Sequence, residues 1–187
     1  NKTFLLQIGN GKFEKIDDIK ESFSLSKVSD EFYKQFNPIF EKLCEQIYTE
    51  NTTKGIDGHE AKDFGLLFVI RTIFIGFIQK RKWIGDDEKF LQTFISEYRD
   101  NPSKKENQLY ERWLRPLFFE ALNSPPGRKV AYQNNDFSTE MELKLQMAPY
   151  LNGGLFDEND KEIDRKGYYI PDKIITEFFD FLFSYNF

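Results

Sequence analysis

The sequence predicts a mainly α protein: a multi-helix bundle around a central apolar helix, with a small β-hairpin or short strands at its periphery. Three observations carry this. Apolar residues recur at helical spacing in several separate stretches. One further stretch, 64–78, is apolar on nearly every face, as a helix enclosed by other helices must be. Aromatic residues make up 17% of the chain, 21 of them Phe, which supplies large side chains for such a core. Charged residues reach 30% and are spread along the chain, which argues for a folded domain and against disorder. A chain of 187 residues is expected to form one domain, or one domain with a small appendage.

The elements follow in order. Residues 2–16 read as a β-hairpin: 3–8 is extended by composition and Gly9-Asn10-Gly11 supplies the turn. A lone hairpin is marginal, so residues 1–22 are assigned to this hairpin or to the tail of an upstream domain, and 23–187 to a helical domain. A first helix spans 26–49, with Val28, Phe32, Phe36, Ile39, Phe40, Leu43 and Ile47 on one face; Pro38 is expected to kink or divide it. A turn-rich linker, 51–58, leads into the central helix, 60–83. Its apolar run is interrupted by Arg71 and Thr72 and is shorter than the roughly 20 residues of a membrane span. A third helix covers 87–98 with Asp86 as its cap. Ser103 and Glu106 form a capping box opening a fourth helix that ends near Leu122 and points Leu109, Trp113, Leu117, Phe118 and Phe119 inward. Residues 123–145 read as a long surface loop, 168–170 as a short strand, and Pro171 as the first position of a last helix carrying Ile174, Ile175, Phe178, Phe179, Leu182 and Phe183.

The net charge of −5 disfavours a general polyanion binder, because each phosphate contact needs a Lys or Arg. Local basic clusters remain: Lys80-Arg81-Lys82 and Arg128-Lys129. The first cluster has two readings, cations placed to suit a helix C-terminus, or contacts to DNA phosphates. One Cys and one His, Cys44 and His59, cannot build a structural zinc site, and a single Cys implies a reducing, cytoplasmic compartment. Cys44 reads as a small core residue and His59 as a solvated one. Arg112 and Arg115 read as partners for carboxylates on neighbouring helices.

Catalytic signatures are sparse. A magnesium nuclease needs paired acidic groups and a lysine near the attacking water. The two Glu-x-Lys triplets, Glu60-Ala61-Lys62 and Glu142-Leu143-Lys144, lack a suitably placed leading aspartate on a strand. A methyltransferase needs a Gly-rich cofactor loop after a strand, and Gly153-Gly154 lacks the following helix start, so it reads as a turn. The chain begins at Asn1 and ends inside an apolar stretch, 178–187. This leads us to expect a piece cut from a longer polypeptide, with loss of an initiator Met or a tag at the front as the alternative.

Several segments, in order, carry a family resemblance. They are the 23–33 stretch Phe-Ser-Leu-Ser-Lys-Val-Ser-Asp-Glu-Phe-Tyr, the 71–84 stretch from Arg71 through Trp83-Ile84, and Tyr110 with the 117–123 run. Pro149-Tyr150-Leu151-Asn152-Gly153-Gly154-Leu155-Phe156 is the most specific, and Ile170-Pro171-Asp172 and Tyr185-Asn186-Phe187 close the series. Together they resemble the region just upstream of the methyltransferase core in type IIG-like restriction-modification enzymes, which fuse an endonuclease and an adenine-specific DNA methyltransferase. The resemblance covers about residues 23–187. It implies a helical connector without catalytic, cofactor-binding or metal-binding residues of its own. S-adenosylmethionine and magnesium would belong to the parent enzyme, and DNA would be met through that parent. The partners would be intramolecular: the methyltransferase domain and a nuclease domain. Within the connector, Pro149, Tyr150, Asn152, Gly153 and Gly154 would form a structural turn packed against the methyltransferase domain. The other reading is a stand-alone helical interaction module with no DNA role.

Overall fold

A computed structural model of the chain describes residues 30–101, 105–125, 136–151, 153–158 and 162–185, and these fold mainly as helices. The expected hairpin, the Ser103 cap, Arg128, Lys129 and Asn152 lie outside the described residues.

Helix α1, Asp30–Glu50, runs through Pro38 without dividing. Its predicted face is the buried one: Phe32, Phe36, Phe40, Leu43 and Ile47 are all at most 3% exposed. Rings spaced four residues apart stack along it, Phe32 on Phe36 and Phe36 on Phe40. Helix α2, Gly58–Gln79, is the central helix. Asp57 caps it, its carboxylate accepting from the His59 and Glu60 amides at 2.8 Å. Its buried residues lie all round the barrel, with α1 and the helices Phe90–Asp100 and Glu162–Arg165 packed against it. No described helix is long and apolar enough to cross a membrane.

Helix α3, Phe90–Asp100, starts three residues later than expected, and Asp86 is not its cap. Asp86 sits in the left-handed region at φ 55°. The buried Gln79 side chain instead accepts from the Leu91 amide, while the neighbouring Asp87 accepts from the Lys89 amide and the Thr93 hydroxyl. The next helix, α4, is wound wide, with π-type spacing over Leu109–Leu114 and Pro116–Ala121. Pro116 has no N–H to donate and its ring crowds the preceding turn of an ordinary α-helix, which a wider winding relieves. The start of α4 is held by a carboxylate from a distant helix. Asp172 accepts from the Asn107 and Leu109 amides and from the Tyr98 hydroxyl. Trp113 of α4 is boxed edge-on by Phe94, Tyr98 and Phe137.

The expected 123–145 loop contains a helix, α5, Thr139–Gln146, capped by Ser138 accepting from the Met141 amide. Its brevity and weak amphipathicity hid it; only Met141 and Leu145 are buried. After α6, Glu162–Arg165, residues 168–170 form no strand. The fully buried side-chain amide of Asn51 takes a strand's place, donating to the Tyr169 carbonyl and accepting from the Tyr169 amide. Among the described residues there is no sheet. Helix α7, Asp172–Phe183, begins one residue after Pro171 and buries Ile174, Ile175, Phe178, Phe179 and Leu182 against α1 and α4.

Three carboxylates in this frame lie below their usual range. Asp57 is lowered by the Glu60 amide, Glu60 by hydrogen bonds from Lys166 and Tyr168. For Asp87, burial pushes upward but is outweighed by the Lys89 amide, the Thr93 hydroxyl and the Lys144 ammonium. A carboxylate lowered on folding stabilises the fold fully above its unfolded value and loses that contribution as pH falls through the folded value. The urea midpoint is therefore expected to be flat near neutrality and to fall below about pH 4. Glu60→Gln should make that acid slope shallower, and an unchanged slope would rule out this assignment.

Candidate functional site

The Pro149–Phe156 string predicted as the most specific element is held from the inside by a residue to which the sequence reading gave no partner. Arg71 of α2 is fully buried, as is Asp164 of α6, and the two form a two-pronged ion pair, Nη1 to Oδ1 at 2.8 Å and Nη2 to Oδ2 at 2.5 Å. The remaining Nε–H donates to the Leu155 carbonyl at 2.8 Å. The guanidinium also lies over the Phe119 ring of α4 at 4.8 Å, with Phe118 at 5.8 Å. Arg115 covers Phe119 as well, at 5.3 Å, and reaches Glu158. One cation thus joins α2, α4, α6 and the string.

The string is anchored at both ends and open between them. The Leu151 amide donates to the Leu122 carbonyl at the end of α4, at 2.8 Å. Leu155 and Phe156 are buried, with the Phe156 ring against Phe74 and Phe118. Between these anchors Gly153 is exposed, and a Cβ built there meets nothing within 4 Å. Gly154 adopts φ 72°, which L side chains rarely tolerate. The expected tight turn is therefore a bend whose conformational requirement falls on Gly154. Tyr150 is 37% exposed, and Leu143 on α5 and Met147, one turn on at its C-cap, are 56% and 61% exposed.

The other predicted residues fall as follows. Lys80, Arg81 and Lys82 follow the end of α2 and are all exposed, away from the Arg71 node; Lys82 pairs with Glu88 at 3.2 Å. Trp83, which the sequence reading named only within the 71–84 stretch and as the end of the central helix, is 55% exposed beside them. Arg112 bonds to Asp136 and Arg115 to Glu158, carboxylates in connecting segments and not on the neighbouring helices expected, and Arg115 also approaches Glu111 of its own helix. His59 is exposed, with Nδ1 3.1 Å from Asp63. Cys44 is buried, and burial pushes its thiol up to about 12, with Glu41 adding to the effect. A thiol so disfavoured for ionisation packs as a small apolar group.

One charged member of each Glu-x-Lys triplet is engaged elsewhere. Glu60 holds Lys166 and Tyr168, and Lys144 holds Asp87 and Glu140. Among the described residues no group of three or more His, Cys, Asp or Glu side chains is placed to hold a metal ion. The open cleft of about 490 Å³ between α4 and Glu158 is lined by the charges of Glu111, Arg112, Arg115, Glu120 and Glu158. Burial, then the Glu158 charge, raises the Glu120 carboxyl above its usual range.

No family model matches the chain, and no solved structure matches it. Over 179 residues, 94% of its length, it is 30% identical to a Methanocaldococcus jannaschii protein named as a type II restriction enzyme and methyltransferase. The chain is thus related in sequence to a restriction-modification protein. It spans only 13% of that relative's length.

The two glycines separate conformational need from packing need. Gly154→Ala is expected to cost about 1 kcal/mol or more in urea unfolding, because φ 72° is strained for alanine. Gly153→Ala should leave stability within about 0.5 kcal/mol, as at an ordinary surface site. Equal losses at the two positions would contradict this division.

Proposed function

We propose that the chain is a non-catalytic helical connector within a restriction-modification enzyme. The whole polypeptide would carry an adenine-specific DNA methyltransferase and an endonuclease, act on DNA in the cytoplasm, and use S-adenosylmethionine and magnesium at sites outside this chain. The similarity to the archaeal restriction-modification protein over 94% of the chain supports the setting. One observation carries the role: the string is fastened at Leu151 and Leu155 while Tyr150 and Gly153 between and beside those anchors stay exposed. A bend rigidly held from behind and bare in front suits a surface that positions a neighbouring domain.

The docking face we assign comprises Leu143, Met147, Tyr150 and Gly153. Tyr and Met are favoured at protein interfaces, and small residues allow close backbone approach. The methyltransferase domain is the occupant we assign to it. Rigid seating of that domain would fix the distance between the methylation and cleavage centres, and the Arg71 node would transmit the position of the string to the rest of the bundle. Lys80, Arg81 and Lys82 are the described candidates for phosphate contacts, and Arg128 and Lys129 complete the set read from the sequence.

Hydrogen exchange tests the docking. In the full-length polypeptide the backbone amides of residues 143–154 should exchange at least about tenfold more slowly than in the isolated chain, equivalent to ~1.4 kcal/mol of added local protection. Met147→Asp combined with Tyr150→Ser should abolish the difference and lower methylation by the full-length enzyme, with the isolated chain's stability unchanged. Identical exchange in the two settings would favour a stand-alone interaction module instead.

A further inference from the structure

We propose that the Lys80–Trp83 loop is a contact site for an unpaired DNA strand, with Trp83 as the stacking platform for a base. This rests on the reading that the whole polypeptide handles DNA, and adds to it a residue and a form of the nucleic acid. The loop leaves α2 after Gln79 and is held in a defined shape. The Arg81 and Trp83 amides donate to the Ile78 carbonyl at 3.1 and 3.3 Å, and the Lys82 amide donates to the Gln79 carbonyl at 2.8 Å. Lys82 takes φ 59°, a left-handed conformation that lysine adopts only under constraint. Ile84 is fully buried. Gly85, at φ 60°, presses so closely on α5 that a Cβ there would lie 2.4 Å from the Lys144 Cγ and 3.0 Å from its Cα. The Asp87–Lys144 ion pair fastens the same junction at 3.1 Å.

Between these fixed points the loop turns its largest apolar side chain outward and a smaller one inward. An indole 55% exposed beside three exposed cations gives the fold little of the burial its size could supply. Lys80 and Arg81 form no ion pair with the described residues, so both charges are available; Lys82 is shared with Glu88. Cations that track phosphates next to an exposed aromatic face are the combination that binds single strands, where each base offers a bare face. A duplex hides those faces and would use only the charges. The chain's net charge of −5 opposes non-specific binding to polyanions, so the interaction must be local to this loop.

The test is a titration of the 187-residue chain against a fluorescein-labelled oligo-dT about 12 nucleotides long and the matching duplex, read by anisotropy across a salt series. The single strand should bind more tightly than the duplex, with a log–log salt slope of about −2, corresponding to three phosphate contacts. Lys80→Ala with Arg81→Ala should reduce that slope by about 1.4. Trp83→Ala should weaken single-strand binding roughly tenfold with no change in slope, and Trp83→Phe should recover most of it. Tighter binding of the duplex, no binding of either probe, or an affinity indifferent to Trp83 would overturn the proposal. None of those results touches the docking of the string, which the exchange experiment reads on other residues.

Discussion

A buried guanidinium is the constraint around which this bundle is organised. Arg71 has no exposed surface, and an ion with no partner in that position would cost several kcal/mol. Its N–H donors therefore call for acceptors brought from other parts of the chain. Asp164 accepts one N–H from each terminal nitrogen, and the Leu155 carbonyl accepts the Nε–H. Phe118 and Phe119 offer their rings to the charge. Each partner fixes a separate element: α6, the string and α4. Apolar burial supplies the bulk of the stabilisation, but it is non-directional and tolerates many arrangements of phenylalanines. The geometry of the ion pair admits few.

That constraint connects fold to function. The segment most specific to the resemblance is the one that Arg71 grips at Leu155 and that the end of α4 grips at Leu151. Its inward residues, Leu155 and Phe156, complete the core, while its outward residues leave a bare face beside α5. The proposed connector role needs both halves. A string held only by packing could slide, and a docked domain would inherit that slack.

Periodic features were legible in the sequence and convergent ones were not. The buried faces of α1, α4 and α7 were readable because Phe32, Phe36 and Phe40, or Leu109, Trp113 and Leu117, repeat at helical spacing. The central helix was readable because nothing else explains an all-round apolar run with an arginine inside it. Where a partner comes from far along the chain, the signal vanishes. Asp164 lies 93 positions from Arg71, and Asp172, which caps α4, lies 63 positions from Leu109. Arg71 itself gave half the message, since a cation inside an apolar helix must find a carboxylate, but none of the 31 acidic residues was marked as the one. Asn51 replaced an expected strand for the same reason, its amide serving Tyr169 across 118 positions. Helix α5 was missed because eight residues with two buried side chains carry too little periodicity to stand out from a loop.

The central claim concerns the coupling between Arg71 and Asp164, and a double-mutant cycle measures it directly. Arg71→Met, Asp164→Leu and the double substitution would each be unfolded in urea. Either single change leaves a buried charge alone and should cost about 3–5 kcal/mol, whereas the double change should cost far less than their sum. Additive losses, or single losses below about 1 kcal/mol, would show that the bundle and its string are positioned without this pair.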